Sequence, residues 1–405
     1  MPKCLICKDE YNPFIDFGDM PIANSFGSKE ELVDEYTFRM KVGFCTSCNM
    51  VQLVNQPNRE MMFHENYAFF SSTSNYMKEH FKDFSESIST LQDLTSNSFI
   101  VEIGCNDGIL LQNFEASGVP CLGIEPSANV AQVALSKGIE VITDFFDLTL
   151  AKNILKTHKK ADAILSANVM CHIPYMHSIY EGVKTLLSDK GVFVFEDPYL
   201  GEVIEKTSFD QIYDEHVFLF SALSVSYLAN MHNLELVNVE AQITHGGSMR
   251  YTLAHKGVKQ VSQNVYDLIQ HEKKIGLDNE ELFLNYKNKV DKIKGDLIEL
   301  LTQLKDDGKK VVGYGATSKS TTVTNYFGIS SQLVDCIYDN TPIKQNKFSP
   351  GVHIPILPYD EFRKSEPDYV LLFAWNHAAE IIKKEKEYMG NDKHWITYIP
   401  EVKID

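Results

Sequence analysis

No apolar run in this 405-residue chain approaches the length of a membrane span, about twenty residues. Its start, Met-Pro-Lys-Cys, has no signal-peptide pattern, so the chain is expected in the cytoplasm with no membrane partner. It has no basic cluster either. Lys and Arg number 38 against 55 Asp and Glu, a net charge of −17. Binding a phosphate backbone needs a basic face, so nucleic acid is excluded as a partner. No internal repeat or low-complexity segment stands out. The dinucleotide signature G-x-G-x-x-G is incomplete at both places where a glycine loop follows a strand-like run.

What remains is a globular composition, 44% hydrophobic and 23% charged, too long for a single core. Eight cysteines fall into two groups. Cys105, Cys121, Cys171 and Cys336 are scattered in apolar segments and read as small core residues of a reducing compartment. Cys4-Leu-Ile-Cys7 and Cys45-Thr-Ser-Cys48 are two tight knuckles. Each puts two thiolates on one turn, and together they complete a tetrahedral, four-cysteine structural zinc site without an open position. The uncharged loop 21–26 between them is expected to pack on another domain.

Residues 100–111, Ile-Val-Glu-Ile-Gly-Cys-Asn-Asp-Gly-Ile-Leu-Leu, organise the rest. The run 100–103 predicts a buried parallel strand, and Gly104 and Gly108 allow a tight turn into a helix. Free N–H groups at that helix start favour a negatively charged ligand group. This E-x-G-C-N-D-G resembles the first motif of class I S-adenosylmethionine methyltransferases, which makes Glu102, Gly104, Asn106 and Gly108 cofactor candidates. Glu125 ends the next strand, 119–124, about twenty residues on, where a carboxylate can accept both ribose hydroxyls. Asp144 and Phe145 follow a third strand, where adenine would lie. Further apolar strands at 163–166 and 191–196 predict a doubly wound parallel sheet.

Outside that sheet, polar side chains gather in four places. The segment 65–74, with Tyr67, Phe69 and Ser71, is dense in aromatic and hydroxyl groups and suits a ligand-facing loop. Tyr213, Glu215 and His216 crowd before an apolar run, and helical spacing would put Tyr213 and His216 on one face. His245-Gly-Gly-Ser248-Met-Arg250 suits either a hairpin turn or a grip on a phosphate or sugar hydroxyl. Residues 256–308 predict a bridging helix. After it, 310–322 read as strand, glycine loop and helix, with Ser318 and Lys319 placed for a diphosphate, and a loop at 344–355 carries Lys347.

The order of these motifs is similar to the nucleotide-sugar C-methyltransferase family, which adds branching methyl groups to 4-keto deoxysugars. The resemblance spans nearly the whole chain: paired C-x-x-C, Tyr-x-x-x-Ser-Ser, E-x-G-x-N-D-G, Asn-Val-x-x-His-Ile-Pro, Tyr-x-Glu-His, His-Gly-Gly-Ser-x-Arg, Gly-Tyr-Gly-Ala-x-x-Lys and Pro-Gly-x-x-Ile-Pro-Ile. It implies a zinc-binding domain (1–65), a methyltransferase domain (66–255), a helical linker (256–308) and a C-terminal Rossmann-like α/β domain holding the nucleotide (309–405). The implied substrate is a nucleoside-diphosphate sugar, dTDP-linked or else GDP- or CDP-linked, taken by a monomer.

Carried over by motif, Tyr67, Tyr213, Glu215 and His216 fall at the sugar. Asn168 and His172 line the reaction centre, and Asn168 also faces the cofactor, as do Glu125 and Phe145. Ser71, His245, Ser248, Arg250, Ser318, Lys319 and Lys347 are the substrate-binding candidates. The chain departs from the family pattern at Phe69, often Tyr, and at Thr317-Ser318-Lys319-Ser320, often Pro-Ala-Lys-Gly. Both departures bear on which sugar or nucleotide is bound.

The implied chemistry removes a proton beside a ketone and passes methyl to the resulting carbanion. It needs a base, a donor to the enolate oxygen, and alignment. His216 is expected as the base, being largely neutral at pH 7, with Tyr213 as donor and Glu215, read as an exposed carboxylate, orienting the ring. A sugar O-methyltransferase, a zinc-ribbon nucleic-acid methyltransferase and a non-catalytic nucleotide-sugar-binding protein are the rivals.

Overall fold

The computed structural model describes residues 1–58, 62, 71–73 and 75–405. Tyr67 and Phe69 lie outside the described residues. Among those described, the strands form sheets of four, seven and six.

The N-terminal sheet begins as an antiparallel meander, β1 (Asn12–Pro21), β2 (Thr37–Cys45) and β3 (Met50–Leu53). Its two-residue alternation is visible on β2, where Phe38, Met40, Val42 and Phe44 are buried. The knuckles sit ahead of β1 and at the β2–β3 turn.

Helix α1 (Asn75–Leu91) leads into the seven-stranded sheet. The chain then alternates β4 (Ile100–Ile103), α2 (Leu111–Ala116), β5 (Cys121–Ile124), α3 (Ala128–Ser136), β6 (Glu140–Ile142), α4 (Leu148–Ile154), β7 (Ala161–Ala167), α5 (Met176–Leu186) and β8 (Leu187–Pro198). After α6 (Leu200–Glu205) comes β9 (Phe218–Leu219), which leaves this sheet and pairs with β3 of the N-terminal one. Then α7 (Ala222–Met231), β10 (Leu234–Gln242) and β11 (Ser248–His255) complete the order β10-β11-β8-β7-β4-β5-β6. β11 alone runs against its neighbours. This is the class I methyltransferase sheet, and the wholly buried β4 and β5 explain the unbroken apolar runs in the sequence.

The stretch 256–308 contains two helices, α8 (Gln263–Ile275) and α9 (Glu280–Asp306). The Asn279 side chain caps α9 by accepting the Glu281 N–H at 3.0 Å. Phe283, Tyr286, Val290, Ile293, Leu297, Leu301 and Leu304 recur at three- and four-residue spacing and are all buried. They enter one core shared with β1, β2 and the C-terminal sheet, and Phe283 stacks on Phe44 at 4.3 Å between centroids. Each such side chain is worth roughly 1.5–3 kcal/mol when buried, so α9 is a structural spine for two of the three sheets.

The C-terminal unit runs β12 (Val311–Tyr314), α10 (Ser318–Phe327), β13 (Ile337–Asp339), β14 (Ile356–Pro358), β15 (Tyr369–Leu372), α11 (Ala378–Met389), β16 (His394–Thr397) and β17 (Lys403–Ile404). Its order is β14-β13-β12-β15-β16-β17, parallel except for β17.

In open parallel sheets, ligands bind beyond the strand ends where the strand order reverses. One reversal lies between β4 and β7, beside the 104–108 loop and residues 168–172; the other lies between β12 and β15, beside the start of α10 and residues 374–377. The turn before β11 joins them: a Cβ on Gly246 would sit 2.7 Å from the Trp375 ring. The two crevices therefore adjoin.

Candidate active site

The first crevice is a deep cleft lined by Glu102, Gly104, Asn106, Glu125, Asp144, Phe145 and Asn168. Seven of the eight expected cofactor residues thus meet in one place. Gly104 has φ +73°, and a Cβ there would lie 2.4 Å from Val169, so glycine is required. Gly108 has φ +76° but does not line the cleft; a Cβ there would strike Ile139 at 2.5 Å. Close packing against Ile139 therefore requires glycine there.

Asn106 and Asn168 both hold left-handed backbone, φ +48° and +57°, at the cleft. The Glu125 carboxylate accepts the backbone N–H of Asn106 at 3.0 Å and of Ser127 at 2.9 Å, and burial pushes its pKa up. Glu102 is fully buried beneath the loop. Burial, with Glu125 and Asp107 nearby, holds its carboxyl well above the usual range. Glu102 Oε2 and Asn168 Oδ1 are buried with no hydrogen-bond partner among the described residues.

At the far end of the cleft, His172 and His216 stack with ring centroids 5.4 Å apart, and Tyr213 packs on His216 at 4.0 Å. Residues 212–217 form a turn rather than a helix, closed by the His216 N–H on the Tyr213 carbonyl at 3.0 Å. The turn, not helical spacing, brings the two rings together. His216 Nδ1 donates to the Gln211 carbonyl at 2.6 Å, since a carbonyl only accepts. The proton is thereby fixed on Nδ1, and Nε2 keeps its lone pair. Burial, then the neighbouring His172, hold the His216 pKa well below 6.5. Burial alone lowers His172 to about 4.

Glu215 does not orient that ring. It is buried, accepts from Asn24 Nδ2 at 2.8 Å, and has its pKa raised by desolvation. Asp214 beside it accepts the Ala23 N–H at 3.0 Å. The loop 21–26 therefore docks on the turn that carries Tyr213 and His216, as its lack of charge foretold.

His245 also lines the cleft, on a turn where Gln211 Nε2 donates to its carbonyl. Burial, Lys319 and His377 lower its pKa to about 3. Lys319 stands in the first turn of α10, 5.7 Å from the Trp375 ring centre, and burial lowers its pKa against the opposing pull of Asp210. Asp210 accepts from Trp375 Nε1 and the Tyr398 hydroxyl, each at 2.7 Å.

Three substrate candidates are committed elsewhere. Ser248 donates to the Thr244 carbonyl at 3.1 Å, and Lys347 to the Phe26 carbonyl at 3.3 Å. Arg250 is buried between Glu196, at 2.5 Å, and Glu240, at 3.4 Å, with its guanidinium 4.0 Å over the Phe84 ring. Ser71 lines the cleft, and Ser318 opens α10. Sequence reasoning missed Glu196, which also holds His80 at 2.7 Å, and Asp210. Glu196 was signalled only as the first charge ending an apolar strand.

At the N-terminus, the four knuckle sulfurs lie within 4.8 Å of one another, Cys4 and Cys48 at 3.5 Å, Cys7 and Cys45 at 3.4 Å. The Ile6 N–H and Gln52 Nε2 donate to the Cys4 sulfur at 3.3 and 3.0 Å, and the hydrogen bond with Cys48 first among causes lowers its pKa to about 4. Donors to a thiolate and a closed set of four sulfurs fit zinc.

Three families match in succession: a zinc binding domain at residues 4–63, a methyltransferase domain at 76–239 and a C-methyltransferase C-terminal domain at 243–400. The chain is 30% identical over 405 residues to C-methyltransferase NovU of Streptomyces niveus, covering 99% of this chain and 96% of that one. This chain belongs to the C-methyltransferase family.

A shorter match, 28% over 111 residues, links the C-methyltransferase to the ubiquinone biosynthesis O-methyltransferase of Glaesserella parasuis serovar 5 (strain SH0165), covering 25% of this chain and 47% of that one. Among solved structures, magnesium protoporphyrin IX methyltransferase (ChlM) of Synechocystis PCC 6803 with bound SAM is similar at TM-score 0.34 and 11% identity, over 44% of this chain and 79% of that one, too distant to add to the argument.

The cleft of this C-methyltransferase fits S-adenosylmethionine. A glycine loop, a carboxylate on the second strand and two buried, unpaired acceptors await a ligand rich in hydroxyl and amino donors. Cys171, His172 and His216 also bring ligand atoms within 4.8 Å. Burial, then Asp197, hold the Cys171 thiol well above its usual pKa, so it offers no ready thiolate to a metal.

Proposed function

We propose that this enzyme adds a methyl branch to the carbon beside the ketone, carbon 3, of a nucleotide-linked 4-keto deoxysugar. The observation that carries this reading is His216: a neutral imidazole with its lone pair fixed on Nε2, stacked on His172 where the cofactor cleft meets the crevice at α10.

The substrate's C–H bond breaks as His216 Nε2 takes the proton, and the electron pair moves into an enolate. The Tyr213 hydroxyl, packed against the same ring, donates to the enolate oxygen, with Tyr67 also assigned to the sugar. Bound S-adenosylmethionine supplies the electrophilic methyl on its sulfonium. Asn168 and His172 align the carbon with that methyl across the cleft mouth. Ser318 and Lys319 hold the diphosphate at the start of α10, where free N–H groups and the ammonium favour an anion. A dTDP sugar is the first choice of nucleotide, with GDP and CDP sugars next.

Solvent-deuterium exchange tests the reading. Wild type should exchange the proton beside the ketone, and mass spectrometry with NMR should place the new methyl on carbon. His216→Ala should bind S-adenosylhomocysteine normally yet lose exchange and methylation by at least about 100-fold. Exchange at the wild-type rate in His216→Ala would remove His216 as the base. A methyl found on oxygen would favour a sugar O-methyltransferase.

A further inference from the structure

The cofactor cleft has a wall that no strand provides. Met77 and Phe81, one turn apart on α1, line it together with Ser71 ahead of the helix. Phe81, Phe84 and Ile88 enter the core, while Met77 only packs against its edge and the first turn carries the exposed Tyr76, Lys78 and Glu79. Packing alone therefore holds the second half of α1 better than the half that meets the cofactor.

Two polar contacts hold that first half. Ahead of the helix, the Ser72 N–H and hydroxyl both donate to Asp107 Oδ2, the N–H at 3.0 Å, and the Ser71 N–H donates to Asn106 Oδ1 at 3.1 Å. One turn in, His80 Nε2 meets Glu196 Oε2 at 2.7 Å. Asp107 and Glu196 are both buried, so each contact is sheltered from water.

Each of these carboxylates belongs to a residue that also shapes the cleft. Asp107 follows Asn106 in the glycine loop. The Glu196 carbonyl accepts the N–H of Asn168 at 2.7 Å, holding Asn168 in its left-handed conformation. Against burial, the His80 hydrogen bond first and then Arg250 on the other Glu196 oxygen hold that carboxyl below its usual range and in place.

We infer that Asp107 and Glu196 are positioning residues for S-adenosylmethionine: through Ser72 and His80 they pin helix α1 against the glycine loop and the end of β8. The two pins fix the width of the cleft. They retain the cofactor without touching the reacting atoms, and the product S-adenosylhomocysteine leaves when they open.

The test uses full-length protein and S-adenosylhomocysteine as the probe. Ser72→Ala removes one hydroxyl from a half-buried turn and keeps the fold; His80→Leu removes the second pin. Each should speed S-adenosylhomocysteine dissociation roughly five- to tenfold in stopped-flow measurements, as loss of one sheltered hydrogen bond implies. Ser72→Thr, which keeps the hydroxyl, should stay within twofold of wild type. Amide hydrogen exchange across 76–84 should quicken in both pin variants while β4 and β5 stay protected. Because both pins act on one wall, the double variant should fall short of the product of the single effects. Dissociation within twofold of wild type in Ser72→Ala would overturn the proposal, whether or not His80→Leu folds. So would equal loss in Ser72→Thr.

Discussion

Trp375, beyond the end of β15, donates its indole N–H to Asp210, five residues ahead of Glu215 and 165 residues away in sequence, at 2.7 Å. The Thr322 hydroxyl of α10 donates to the Ile212 carbonyl at 3.1 Å in the same region, and Phe209 stacks on Phe327 at 5.0 Å. The turn at 212–217 is thus held from the C-terminal side as well as from the zinc-bearing side. Trp375→Phe keeps an aromatic ring, though a smaller one, and deletes one donor to a buried carboxyl. It should cost about 1–3 kcal/mol of stability and lower kcat while leaving S-adenosylhomocysteine affinity within twofold. Calorimetry and steady-state kinetics on the same preparation check this; weakened cofactor binding would contradict it.

Glu125→Ala should weaken S-adenosylmethionine binding roughly 10- to 100-fold, the worth of one charge-assisted hydrogen bond. Glu125→Gln retains an acceptor and should lose less. Isothermal titration decides, and unchanged affinity in the alanine variant would reject the ribose role.

Acid should destabilise the fold through the buried histidines. His172 is neutral when folded, at about 4, against an unfolded value near 6.5. Its contribution is complete above about pH 6.5 and is lost as pH falls toward 4, because the unfolded chain binds the proton first. His216, displaced in the same direction, adds to the loss. The sum for His172 is on the order of 2–3 kcal/mol. Thermal midpoints measured from pH 7.5 down to 4.5 should fall, and His172→Gln should flatten the decline. A flat profile in wild type would contradict the assignment.

Metal analysis should find one zinc per chain. A strong chelator, or Cys48→Ser, should lower thermal stability before it alters S-adenosylhomocysteine binding, since the cluster lies outside the cofactor cleft. Zinc-free protein with an unchanged melting temperature would remove the structural role.

Much of this architecture is local in sequence and was legible there. Glu102 through Gly108 form one strand and one turn, and the two knuckles state their chemistry in spacing alone. Arg250 was not legible. Its neighbours are set by strand pairing: it stands opposite Glu196 on β8 and opposite Glu240 on β10, so two glutamates from separate strands claim its guanidinium. A Gly-Gly turn just before it suggested a ligand, but the antiparallel placement of β11 cannot be read from residues 245–250. Glu215 failed for the same reason. Its partner, Asn24, is 191 residues away, and only the docking of loop 21–26 turns an apparently exposed acid into a buried one. Gly108 is a subtler case, a glycine required by its left-handed backbone and by a neighbouring isoleucine that the local sequence does not show.

β9 is two residues long, yet its pairing anchors the turn that carries His216 to the N-terminal sheet. Phe218 stands opposite Gln52 and Leu219 opposite Val51, while the Leu53 N–H bonds the Val217 carbonyl at 2.8 Å. Gln52 in turn reaches the Cys4 sulfur. Side chains alternate faces along a strand, so a slip of one residue here would reverse the facing of Phe218 and Leu219 and drag the turn holding His216 out of line with His172. The four-cysteine cluster and the turn holding His216 are thus linked through one short strand pair, so an insertion or deletion between 50 and 53 should disturb that turn and, on the proposed role of His216, lower turnover in a protein that still holds its zinc.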